Sequence, residues 1–253
     1  MSYLKRNVLA LQDFTYLTVR AFRNALSAPR YVDDTIAQMD AIGVGSLPIV
    51  LLTGFFTGAV LALQTYRTLA TFGSVSILGE AVGVAVVREL GPVLTALVVA
   101  GRNSSGIASE IGSMLVSEQI DALRALGTDP LRKLVSPRLY ATLITLPVLT
   151  VLADFFGMLG GYLVSATIAK LTAAQYWTTA YQSLTFRDFT QGLMKPIVFA
   201  VIIALVGCYF GLRTEGGTEG VGRSTTQAVV VASVLVILLD FFITRFLIGI
   251  HFA

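Results

Sequence analysis

Apolar residues run through this chain in long blocks, not in the alternation of half-buried strands or the narrow stripe of soluble helices. Five blocks reach the length of about 20 apolar residues that suffices to cross a bilayer. They lie at Ala41–Tyr66, Ile77–Gly101, Leu139–Ala169, Gln191–Leu212 and Thr226–Ile250. The first holds no charged residue. The second carries Glu80, Arg88 and Glu89, the third Asp154, the fourth Lys195 beside Pro196, and the fifth Asp240 and Arg245. Gly54 and Gly58 in the first block, and Gly157 and Gly161 in the third, are spaced four apart, a pattern that permits close helix approach.

Two amphipathic stretches lie outside the blocks. Over residues 3–27, Leu4, Val8, Leu11, Thr15, Thr18, Phe22 and Leu26 recur at roughly helical spacing, with Lys5, Arg6, Arg20 and Arg23 among them. This predicts a helix lying in the membrane surface with its basic residues near the headgroups, the alternative being an ordinary solvated helix. Between the second and third blocks, Ser117 to Leu126 reads SEQIDALRAL. A short helix there puts Ile120, Leu123 and Leu126 on one side and Glu118, Asp121 and Arg124 on another. Gly127 suits its stop, and Asp129-Pro130 prevents continuation. Gly216 to Gly222, GGTEGVG, reads as a flexible turn between the fourth and fifth blocks. No internal repeat or second domain is visible. The predicted fold is an all-α polytopic membrane protein: one domain over 1–253, with an interfacial helix and linker over 1–40 and a five-helix bundle over 41–253.

Composition agrees. The 253 residues are 55% hydrophobic and 13% charged, against about 25% charged in a soluble domain, and mean hydropathy is +0.78. A formal net charge of +3 speaks to membrane orientation and not to nucleic acid. Arginine and lysine crowd the N-terminal segment (Lys5, Arg6, Arg20, Arg23, Arg30), the loop after the second block (Arg102 to Arg138) and the loop after the fourth (Arg213, Arg223). By the positive-inside rule the N-terminus and those loops face the cytoplasm, and the C-terminus faces the other side. Asp13 and Arg20 stand where the apolar core of a signal peptide would be. One cysteine, Cys208, reads as a buried structural thiol, and one histidine, His251, leaves no His/Cys metal set.

Few residues are left to carry chemistry. No GxxxxGK[ST] loop cradles phosphates, so any nucleotide hydrolysis must come from another chain. No Ser/His/Asp set exists, and Glu110 and Glu118 fit a helix face better than acid–base work. Arg88 and Glu89 stand out, because a charge at bilayer depth costs about 2.5–3.5 kcal/mol on insertion scales. They read either as part of a substrate path or as an interhelical ion pair. Lys195 reads as part of the same path or as a side chain snorkelling to the membrane edge. Asp154, Asp240 and Arg245 read as packing or interfacial groups. The 117–126 helix reads as a docking element for a motor or as a surface helix on its own subunit. An ion-coupled secondary transporter using Arg88, Glu89 and Asp154, or a membrane scaffold, are the competing classes; the first often shows repeats.

Several motifs in order resemble the MlaE family of permeases, membrane subunits of MCE-type lipid ABC transporters. They are Arg88-Glu-Leu-Gly-Pro92, Ala100-Gly-Arg102, Ala108-Ser-Glu-Ile-Gly112, Ser117-Glu-Gln-Ile-Asp-Ala-Leu123, Asp129-Pro-Leu-Arg132, Ser136-Pro-Arg138 and Glu219-Gly-Val-Gly-Arg-Ser-Thr-Thr226. Ser224 stands where the family often has alanine, and Asn103-Ser104 and Gln227 also vary from common forms. The resemblance, over nearly the whole chain, implies a homodimeric permease of the bacterial inner membrane that moves phospholipid or a related lipid. It implies a cytoplasmic ATPase, holding ATP and Mg, docked on Ser117, Glu118, Gln119, Ile120, Asp121, Ala122, Leu123 and Arg124. It further implies an MCE-domain protein on the far side and a STAS-domain protein on the ATPase, with no cofactor on this chain. Arg88 and Lys195 would then meet a lipid phosphate, with Glu89 balancing charge.

Overall fold

The computed structural model describes residues 3–25 and 31–251. Leu26 and Arg30, counted above in the N-terminal segment, lie outside the described residues, as do the side chains of Leu4, Lys5, Arg6 and His251. Among the described residues there is no strand. Those residues form eight helices in order: α1 (Tyr3–Ala25), α2 (Val32–Thr71), α3 (Val75–Val116), α4 (Gln119–Ala125), α5 (Leu131–Thr167), α6 (Ala173–Ser183), α7 (Phe186–Leu212) and α8 (Gly217–His251). Of these, α2, α3, α5, α7 and α8 are long and apolar enough to cross a membrane, so the chain is a multi-pass membrane protein.

The five expected spans are present, and all five begin earlier than the apolar blocks do. The block for α2 was expected from Ala41, yet the helix starts at Val32 and takes in Asp33, Asp34 and Asp40. Acidic residues near a helix N-terminus are favoured by its dipole, so the helix runs beyond its apolar section. The same holds at Gly216 to Gly222, where a flexible turn was expected. Only Gly216 and Gly217 take positive φ, and helix α8 is already formed from Gly217 onward, with Glu219 in its first turn. A glycine-rich stretch tolerates helix where the following apolar run supplies the packing.

Contacts group the residues into two compact units interleaved along the sequence. The first comprises Met1–Gly43, Ala100–Ile144 and Ala200–Leu235, and the second Val44–Val99, Thr145–Phe199 and Val236–Ala253. The core of the first unit joins Leu17 and Ala21 of α1 to Ile107 and Ile111 of α3, Ile120 of α4, Leu139 of α5 and Ala204 and Cys208 of α7. Cys208 is buried, as a structural thiol should be. Helix α1 turns Leu17 and Ala21 inward and leaves Val8, Leu11, Val19 and Phe22 exposed, an apolar outer face of the kind an interfacial helix buries in lipid. It is tied down by Asp13 to Arg213 at 2.9 Å and by Asn24 to Asp129 at 3.2 Å.

In the second unit α2 and α5 meet backbone to backbone. A Cβ on Gly54 would lie 2.5 Å from the Ala153 carbonyl oxygen, and one on Gly58 only 1.8 Å from that of Gly157. Gly54, Gly58 and Gly157 of the two four-residue spacings therefore lie along one seam, with Gly160 close to the Phe55 carbonyl, whereas Gly161 is crowded chiefly by Tyr176 of α6 and Val82 of α3. Helix α6 opens with a capping box, Thr172 and Gln175 each satisfying the other's amide. Its Tyr176 is buried and donates to the Met158 carbonyl at 3.1 Å. Burial pushes that phenol above its ordinary pKa, which keeps it a donor.

Candidate functional site

The second span is not a uniform helix. Val86–Leu90, which contains Arg88 and Glu89, forms a π-helical turn. Pro92 supplies the local cause: it has no amide hydrogen, so the helical partner of the Arg88 carbonyl is missing. That carbonyl accepts instead from the Lys195 ammonium of α7 at 3.1 Å. The same ammonium donates to the Glu89 carboxylate and lies 3.0 Å from Asp240 of α8. Thr244 reaches Glu89 at 3.5 Å. Arg88 turns elsewhere, its Nε donating to Asp188 near the start of α7. Asp188 also accepts from the amide and the hydroxyl of Thr185, each at 2.8 Å.

All three residues expected at a substrate path therefore gather in one charged cluster, each with a different exposure. Lys195 is 1% exposed and does not snorkel. It donates to one carboxylate and a carbonyl and has a second carboxylate, Asp240, beside it, an arrangement that makes a buried ammonium tolerable. The Arg88 side chain is 42% exposed, and among the described residues only its Nε is engaged. The two terminal guanidinium nitrogens remain, in the planar fork that matches phosphate oxygens. The Glu89 side chain is 41% exposed, facing outward on one side and Lys195 on the other.

Two members of the cluster were missed from sequence. Asp240 was read as a packing group, and it is one, with Lys195 as its partner. Asp188 was not singled out at all. Its signal was the Thr185-x-x-Asp188 spacing ahead of an apolar run, which marks a helix start. Nothing in that pattern points to Arg88, 100 positions away in the chain.

The second candidate region is the break after α3. Helix α3 ends at Val116, and Glu118 takes φ 59°, a left-handed conformation uncommon for a residue with a Cβ. Helix α4 then runs over Gln119–Ala125, shorter than the 117–126 expected, with Ser117 and Glu118 in the break itself. It closes with Gly127 at φ 76°, its amide on the Arg124 carbonyl and the Thr128 amide on that of Leu123, both at 3.0 Å. This is the glycine stop read from the sequence.

The face of α4 divides differently from expectation. Ile120 is fully buried in the unit's own core and Leu123 packs against it, so both are engaged within the chain. Leu126 is 80% exposed. Outward lie Ser117, Glu118, Gln119, Asp121, Ala122 and Arg124, with Asp121 and Arg124 paired at 2.7 Å. Beneath the break, buried Arg138 of α5 pairs with Glu110 of α3 at 2.8 Å and holds the Leu134 carbonyl at 2.6 Å. Asp129 caps the Leu131 amide at 3.0 Å. Helix α4 is thus a polar face fixed on one buried isoleucine.

Comparison with known proteins adds a relationship to this geometry. The family model for permease MlaE matches residues 35–246. The chain is 42% identical over 234 residues to a probable ABC transporter permease protein of Rickettsia typhi, covering 92% of this chain and 90% of that one. It is 38% identical over 215 residues to the intermembrane phospholipid transport system permease protein MlaE of Haemophilus influenzae, covering 85% and 82%. A chloroplast protein of Arabidopsis thaliana, TRIGALACTOSYLDIACYLGLYCEROL 1, is 38% identical over 213 residues, which is 84% of this chain and 61% of that one.

Proposed function

The chain belongs to the MlaE permease family, and on that premise we propose that it is the membrane subunit of an ABC transporter carrying phospholipid or a related lipid between the inner membrane and the cell envelope. The observation that carries this reading is the match over residues 35–246, which takes in both the charged cluster and the α3–α4 break. The relatives' names, ABC transporter permease and phospholipid transport permease, supply the class and the cargo. A secondary transporter or a bare scaffold is not favoured beside them.

The division of labour follows from the residues. Arg88 meets the lipid phosphate with its two uncommitted nitrogens, an attraction strengthened where water is sparse. Asp188 aims the guanidinium by holding Nε. Lys195 does not touch lipid in this arrangement. It holds Glu89 and the Arg88 backbone in place, and Glu89 offsets charge. The acyl chains need only apolar surface, so no covalent step is required of this chain. ATP and Mg sit on a separate cytoplasmic ATPase, which docks on the outward residues of α4 and the adjoining break, with Ile120 anchoring that helix from below. The permease works as a homodimer with its N-terminus cytoplasmic. An MCE-domain protein on the far side and a STAS-domain protein on the ATPase complete the assembly.

The test is copurification from mild detergent with mass spectrometry of bound proteins and lipids. An ABC ATPase, an MCE-domain protein and a phospholipid are expected together. Recovery of the permease with neither ATPase nor phospholipid, from cells where all are expressed, would overturn the reading.

A further inference from the structure

The second unit contains a cavity of about 290 Å³ whose wall includes Asp154 and Phe155 of α5, Trp177 and Tyr181 of α6, and Phe189 and Leu193 of α7. Two features make it unusual. The wall is aromatic and aliphatic and carries no arginine or lysine. Asp154 has no hydrogen bond or ion pair among the described residues, and its Oδ1 is buried, lodged so close to Gly91 that a Cβ there would lie 1.6 Å away. A carboxyl left without a partner in apolar surroundings is costly, and such groups in native structures call for an explanation.

We propose that this cavity binds a single-chain, uncharged amphiphile whose hydroxyl meets Asp154 while its hydrocarbon chain lies against Phe155, Trp177 and Phe189. Size excludes a whole phospholipid. At about 30 Å³ for each water-sized group, the space takes roughly ten such groups, one short stretch of acyl chain. Charge excludes a phosphate head, since the wall offers a carboxyl and no cation. A hydroxyl is the head group that fits in either protonation state, because it donates to a carboxylate and both gives and takes with a carboxylic acid. An ammonium would suit only the ionised form. The ligand class is therefore a monoacylglycerol or a comparable hydroxylated single-chain lipid, chemically unlike the phosphate proposed for Arg88.

The test uses the full chain in nanodiscs with a monoacylglycerol carrying a diazirine on its acyl chain. After irradiation, peptide mass spectrometry should place labels around Phe155, Trp177 and Phe189. A tenfold excess of unlabelled monocaprylin, whose eight-carbon chain matches the space, should remove them, and the same excess of diacyl phosphatidylethanolamine should not. Asp154→Leu should cut labelling at least fivefold, while Asp154→Asn, which still donates and accepts, should keep most of it. Leu193→Trp, which fills the cavity, should abolish it. Thermal unfolding of each variant in the same nanodiscs reports folding, and Asp154→Leu should unfold no earlier than the parent, since it removes an unpartnered carboxyl. Labelling unchanged in a folded Asp154→Leu or Leu193→Trp protein would overturn the proposal. Equal competition by the diacyl lipid would also overturn it, and would assign the cavity to bulk lipid chains.

Discussion

The Lys195 ammonium donates to the backbone carbonyl of Arg88 at 3.1 Å, the carbonyl that Pro92 leaves without a helical amide. Proline and lysine, on different helices, thus complete one another. The lysine repairs a hydrogen bond that the proline removes, and in return gains an acceptor beside its two carboxylates. Losing the lysine leaves the Asp240 carboxylate, mostly shielded from solvent, without its cation, and stranding a buried charge in this way costs about 3–5 kcal/mol. Lys195→Met should therefore lower the thermal midpoint in detergent by many degrees and not only slow transport. The double variant Glu89→Gln with Lys195→Met should lose less than the sum of the singles. Strict additivity would mean that the two side chains do not interact.

Arg88 and Asp188 should separate binding from aiming. Arg88→Gln removes the charge offered to a phosphate, and lipid transfer between donor and acceptor vesicles by the assembled complex should fall at least tenfold. Asp188→Asn keeps the guanidinium and loosens its hold, so transfer should fall less, and raised salt should weaken it further. Transfer at the parent rate in a folded Arg88→Gln protein would remove the headgroup role.

At the α3–α4 break, stability and docking should come apart. Ile120→Ala empties a core position and should cost about 2–5 kcal/mol of stability. Glu118→Lys with Asp121→Lys changes exposed residues only and should leave unfolding within about 0.5 kcal/mol. The ATPase should nevertheless be lost from that double variant on copurification. Full retention of the ATPase would move the docking site elsewhere.

The α2–α5 seam predicts a sharp contrast between glycines. Gly58→Val drives side-chain atoms into the Gly157 carbonyl and should cost at least the 1–3 kcal/mol usual for overpacking. Gly106→Ala, where a Cβ meets nothing within 4 Å, should be neutral or slightly stabilising, since it sits within α3. Equal midpoints for the two proteins would show that the seam opens readily.

Much of this architecture was legible in the sequence because its signals are local. Span count follows from apolar run length, the α4 stop from Gly127, and the close seam from glycine spacing. Helix starts were misjudged because polar and glycine residues extend a helix once its apolar part is anchored, as at Val32 and Gly217. The charged cluster was half legible. Arg88, Glu89 and Lys195 announce themselves by standing in apolar runs, but their pairing depends on which helices face each other. Asp188 was hidden because its local role, satisfying Thr185, already accounts for it. The same limit hid the fate of Ile120, since an amphipathic pattern does not say whether its apolar side meets a partner or the chain itself.

The glycine seam also constrains how this chain can change over generations. Where backbone lies on backbone there is no side chain to trim, so a larger residue at Gly58 cannot be offset by shrinking Gly157, which has nothing left to lose. Drift at these positions is closed one substitution at a time, and only a shift of a whole helix would reopen it. Ancestral or laboratory variants that do carry bulk at Gly58 should therefore bring clustered changes along the facing stretch of α5.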